Sequence, residues 1–120
     1  MPHCVIEISR GMMNELDLDA LMQSCAVALH DVGCFEANDI KVRVREIAHS
    51  FIGIESQFHS MMAAEVQVLD NKTPEQLKQI SQNLQKALET AAPQLPGLQS
   101  ITTRITLMNP DWYSKTLRSR

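Results

Sequence analysis

Aromatic side chains are scarce: three Phe, one Tyr and one Trp in 120 residues. A surface that stacks bases needs aromatic rings on its strands, and this chain has few to offer. An excess of positive charge is missing too. The formal net charge is -3, so the electrostatic footprint expected of a nucleic-acid-binding domain is absent. No apolar run approaches the roughly 20 residues of a membrane span. Nor does a basic segment followed by an apolar one open the chain, so no secretory leader is expected and a cytoplasmic location is the expectation. Cysteine is limited to Cys4, Cys25 and Cys34, an odd number without metal spacing, which suits reduced thiols. His49 and His59 have no cysteine or carboxylate at ligand spacing and are poor metal ligands.

What is present is an ordinary globular composition, 44% hydrophobic and 21% charged, in a length that suits one domain spanning 1–120. The chain begins Met1-Pro2-His3-Cys4-Val5-Ile6-Glu7. Methionine before proline is readily trimmed, and trimming would leave Pro2 with a free secondary amine. Such an amine can act as a base; an internal prolyl nitrogen, being an amide, cannot.

Residues 2–9 alternate, with Cys4, Ile6 and Ile8 on one side and His3, Val5 and Glu7 on the other, the period of a strand. Ser9-Arg10-Gly11 reads as a turn. A helix opens within 14–18, with Asp17 and Asp19 near its positive end. Leu18, Leu21, Met22, Cys25, Leu29 and Val32 form its apolar stripe, and Gly33 supplies the stop. Residues 40–47 alternate again. Ile40, Val42 and Val44 face one way and the cations Lys41, Arg43 and Arg45 the other. Three like charges on one face of a strand repel one another, so the row is either solvated or meets an anion.

Residues 48–58 read as a loop or hairpin and 60–69 as an apolar, central strand. Thr73-Pro74-Glu75-Gln76 is a capping box with proline at the first helical position, opening a helix to about Ala91. Its stripe is Leu77, Ile80, Leu84, Ala87, Leu88 and Ala91. Residues 100–108 form the last strand. The pattern is strand–helix–strand twice, over about 2–47 and 60–108. Each helical crossover makes its two strands parallel. The fold class is therefore α+β, a four-stranded sheet with both helices on one face. If the other face is apolar, further copies of the chain must cover it.

Small RNA-binding sheets share this element order, but their first and third strands carry aromatics where this chain has Met61, Met62 and Ala63. The start Pro2-His3-x-x-x-Glu7, the run Ile40-Lys41-Val42-Arg43-Val44 after Gly33-Cys34-Phe35, and the ending Asn109-Pro110-Asp111-Trp112-Tyr113-Ser114-Lys115 together resemble the 5-carboxymethyl-2-hydroxymuconate delta-isomerases of the tautomerase superfamily. The resemblance covers nearly the whole chain.

It implies a mixed tautomerase-like sheet assembled as a homotrimer, with sites near subunit boundaries around the prolyl nitrogen. The implied reaction moves a double bond in an unsaturated 2-hydroxy or 2-keto acid, without metal or organic cofactor. Pro2 falls on the catalytic proline and Arg43 on a second-strand arginine. Lys41 stands where the family has arginine, keeping the charge without the bidentate fork. The family's arginine near the first loop falls at Met13, with Arg10 nearby. Lys41, Arg43 and Arg45 would bind the substrate's carboxylates. The alternative is a non-catalytic trimer of the same scaffold that binds a small anion.

Overall fold

The computed structural model describes residues 1–120. Its strands are β1 (His3–Ser9), β2 (Lys41–Ile47), β3 (His59–Leu69) and β4 (Leu98–Met108). Its helices are α1 (Arg10–Met13), α2 (Leu18–His30) and α3 (Pro74–Ala91), with 3-10 turns at Ala37–Asp39 and Pro110–Trp112. The sheet order is β2-β1-β3-β4. β1 is parallel to β2, β3 is parallel to β4, and β1 and β3 run antiparallel at the centre. The two strand–helix–strand units are thus joined side by side into one mixed sheet.

The period-two pattern places the core. Cys4, Ile6 and Ile8 of β1 and Met62, Ala64, Val66 and Val68 of β3 are buried under the helices. Fully burying each large aliphatic side chain contributes about 1.5–3 kcal/mol. Above them, α2 buries Leu21, Cys25 and Leu29, and α3 buries Ile80, Leu84 and Leu88, as the steps of three and four require. Asp17 Oδ1 accepts from the Ala20 amide at 3.1 Å and caps α2. At α3 both halves of the capping box are made: the Gln76 amide donates to Thr73 Oγ1, and the Thr73 amide donates to Gln76 Oε1. Asn83 Nδ2 donates to the Ala28 carbonyl at 3.0 Å and joins the two helices.

Two details depart from the sequence reading. Ser9-Arg10-Gly11 does not simply turn; Arg10–Met13 wind one helical turn that sinks Met12 into the core. β4 begins at Leu98, because the Leu98 amide donates to the Phe58 carbonyl at 3.0 Å and extends the pairing. Loop 48–58 is held by Ser50 Oγ against His59 Nε2 at 2.8 Å and by Gln57 Nε2 donating to the Ile52 carbonyl.

The face away from the helices is not an apolar one. Val5, Met61 and Ala63 lie among His3, Glu7, Glu65, Gln67, Thr102, Arg104 and Thr106. Glu65 pairs with Arg104 at 3.2 Å and accepts from Thr106 Oγ1 at 2.6 Å. The condition that this face be apolar is not met, so burial alone does not require a covering partner there.

Candidate active site

Pro2 sits at the head of β1, and its position follows from the parallel pairing with β2. The Lys41 amide donates to the Pro2 carbonyl at 3.1 Å, and the next pair along is His3 opposite Lys41. Pro2 is fully buried at this end and Met1 nearly so. With Met1 attached, the free amine is Met1's. Burial first, then the Lys41 charge, hold it below the ordinary value of 8.0, with Lys115 and Lys72 acting the same way and Asp39 opposing.

Around this terminus the chain gathers groups from three places. From β1 comes His3, half-buried, on the face opposite the helices. From β2 come Lys41, whose Nζ donates to the Asp39 carbonyl at 3.0 Å, and Arg43, whose guanidinium lies 3.3 Å from His3 Nδ1. From the C-terminal tail comes Tyr113, whose hydroxyl oxygen lies 3.1 Å from His3 Nε2 and 3.5 Å from the Met1 nitrogen. The His3 and Tyr113 rings meet edge to face at 5.9 Å. Lys115 follows, bound to Asp39 Oδ1 at 2.6 Å. Burial first, then Arg43, the terminal amine and Lys41, lower the pKa of His3.

The residues singled out in the sequence therefore divide. Lys41 and Arg43 stand beside the terminus. Arg45 does not: it lies opposite Glu7, five residues along the strand from Pro2, or about 16 Å at the usual rise. Arg10 donates to Glu46 Oε1 at 3.1 Å at the far end of β1. Sequence reasoning missed Tyr113, Asp39 and Lys115 as members of this group. For Tyr113 and Lys115 the only signal was the ending from Asn109 to Lys115, whose path back to the first strand nothing local foretells, and for Asp39 there was none. The five principal cavities lie elsewhere, the largest, about 400 Å³, between α2 and α3 beside Val27 and Ala87. No cluster of three His, Cys, Asp or Glu side chains is placed to hold a metal.

The terminus thus brings together a buried proline whose nitrogen is a tertiary amide while Met1 is attached, two cations and a hydroxyl. Comparison with known proteins bears on which chemistry this serves. The family model for 5-carboxymethyl-2-hydroxymuconate isomerase matches residues 2–108. A search of curated proteins finds no match. Among solved structures, a 5-carboxymethyl-2-hydroxymuconate delta-isomerase shares 17% identity at a TM-score of 0.82, over 98% of this chain and 89% of that one. A macrophage migration inhibitory factor-like protein from Entamoeba histolytica shares 15% at 0.67, over 96% and 95%. A fused 4-OT symmetric trimer shares 12% at 0.72, over 89% and 85%. At these identities the structures speak for a shared tautomerase fold. With nearly its whole length matched by the family model, the chain belongs to the 5-carboxymethyl-2-hydroxymuconate isomerase family.

Proposed function

We propose that the chain, once Met1 has been cleaved, is an isomerase that shifts a double bond in an unsaturated 2-hydroxy or 2-keto di- or tricarboxylic acid, of the 5-carboxymethyl-2-hydroxymuconate kind. The Pro2 nitrogen is the general base. It takes a proton from one carbon, the electron pair passes onto the 2-oxygen as a dienolate, and the prolyl ammonium returns the proton to another carbon. Lys41 and Arg43 bind carboxylate and steady the developing charge. The observation that carries this reading is the parallel register that sets a buried Pro2 beside Lys41, with Arg43 two residues further along. Burial and those cations also favour an uncharged amine at neutral pH, which a base requires.

The working assembly is a homotrimer in the cytoplasm, active in breakdown of aromatic acids. A fused 4-OT of the same fold is a trimer. Phe51, Phe58 and Ile54, the last 96% exposed, give loop 48–58 an apolar surface that suits a neighbouring copy. No helix is long and apolar enough to cross a membrane.

The test is turnover of a panel of 2-hydroxydienoates by protein whose N-terminus has been checked by mass spectrometry. Loss of about 10²-fold or more in Pro2→Ala supports the base; unchanged turnover rules it out. A specific observation favours a second reading: Met1 is itself buried, with its amine against Tyr113. If native protein retains Met1, Pro2 stays an amide, and the cations serve a non-catalytic protein that binds a small anion.

A further inference from the structure

The hydrogen bonds around His3 have a fixed direction. A guanidinium only donates, so His3 Nδ1, 3.3 Å from Arg43 Nη1, must present its lone pair. The ring is then neutral with its proton on Nε2, and that N–H donates to the Tyr113 oxygen at 3.1 Å. The same oxygen accepts from the terminal amine at 3.5 Å. Both lone pairs of the phenol are thereby engaged, and its own proton is spent on neither bond. The depressed pKa of His3 agrees with a neutral ring at pH 7. Tyr113 is thus held as a donor with no acceptor assigned.

Its location gives the acceptor. The hydroxyl reaches the nitrogen of Met1, one residue outward from the Pro2 nitrogen. Tyr113 and Pro2 therefore flank the space that Met1 occupies, which after cleavage is the space for substrate. Resting on the function proposed above, we propose that Tyr113 donates its hydroxyl proton in a hydrogen bond to the 2-oxygen of a 2-keto or 2-hydroxy acid, and that Arg43 acting through His3 fixes it as that donor. As Pro2 removes the carbon-bound proton, the electron pair reaches the 2-oxygen and the Tyr113 bond strengthens. The phenol keeps its proton. When the electrons return, the prolyl ammonium protonates the other carbon and the bond relaxes. Tyr113 is catalytic in this scheme; His3 is a positioning residue.

Three variants of Met1-free protein test it: Tyr113→Phe, His3→Leu and His3→Gln, with Pro2→Ala alongside. Tyr113→Phe is expected to lower kcat by about 10²-fold with KM little changed, as for loss of an oxyanion donor. His3→Leu is expected to lower kcat in the same direction. His3→Gln restores most of it, since an amide can accept from Arg43 and donate to Tyr113. Loss in Pro2→Ala with wild-type kcat in Tyr113→Phe overturns the tyrosine's role and leaves the base standing; wild-type kcat in Pro2→Ala overturns both. A binding measurement covers the case of a misfolded variant. Tyr113 is the chain's one tyrosine, so ¹³Cζ labelling gives a single resonance. In wild type it is expected to shift saturably with 2-oxoglutarate, and no shift overturns the contact.

Discussion

Lys115 Nζ stands 2.6 Å from Asp39 Oδ1, so the C-terminal tail is bound to the turn that leads into β2. The hydrogen bond from Lys115, then its charge, holds the Asp39 carboxyl below its ordinary range. A carboxylate lowered in the folded state supports structure above its unfolded pKa and loses that support as pH falls through the folded value. Both side chains are solvent-accessible, so the effect is on tail position rather than on global stability. In Asp39→Asn, trypsin is expected to cut after Lys115 several times faster than in wild type. Wild type itself should become equally susceptible once acid has neutralised Asp39, read with an acid-tolerant protease. Equal cleavage rates in both proteins at neutral pH would sink the idea.

The two arginines of β2 should separate by kinetics. Arg43→Ala removes a charge beside the terminus and is expected to cost about 10–100-fold in kcat/KM, the range of a hydrogen bond to a charged group. Arg45→Ala, about 16 Å along the strand, is expected to leave kcat/KM within about twofold. The reverse ranking would contradict the placement of the site.

Cys4 and Cys25 are buried, and burial pushes their thiols up to about 12 and about 11. Cys34 is only half-buried. Iodoacetamide at pH 8 is expected to label Cys34 first and the other two only on unfolding, read by peptide mass. A raised thiol pKa favours the folded state below the unfolded value of about 9 and withdraws that support as pH climbs towards the folded one. The melting temperature should therefore fall between about pH 9 and 11.

Gly97 has φ +85, and a Cβ there would lie 2.1 Å from the Phe58 carbonyl oxygen. Gly97→Ala must break the contact that starts β4. It is expected to cost about 1–3 kcal/mol, measured by urea unfolding. Leu84→Ala, in the centre of α3's buried stripe, is expected to cost about 2–5 kcal/mol by the same measurement. A neutral Gly97→Ala would mean the Phe58 loop yields freely.

The helices and strands were legible because their burial is one-sided. Cys4-x-Ile6-x-Ile8 and Leu21, Cys25, Leu29 each repeat at the period of their own element, and the Thr73–Gln76 box marks a helix start within one residue. The parallel crossovers followed from chain geometry. Strand order did not: that β1 and β3 share the centre depends on Cys4 meeting Val66 and Ile6 meeting Ala64, contacts far apart in sequence. Whether the open face is apolar was left as a condition, because alternation shows which side is buried and says little about what the other side meets. At the candidate site, the neighbourhood of Pro2, Lys41 and Arg43 was readable from a first-strand start and a cation row. Tyr113 was not, since its only link to His3 is through space.

The central antiparallel pair also sets where the chain can be cut. Everything before residue 48 is one unit and everything after 58 another, and they meet along β1 with β3 and α2 with α3. Two separate peptides divided between Gly53 and Ile54 would each carry a complete βαβ module with one sticky edge. Mixed together, they should reconstitute the sheet by fragment complementation, whereas either peptide alone would leave that hydrogen-bonding edge unmatched.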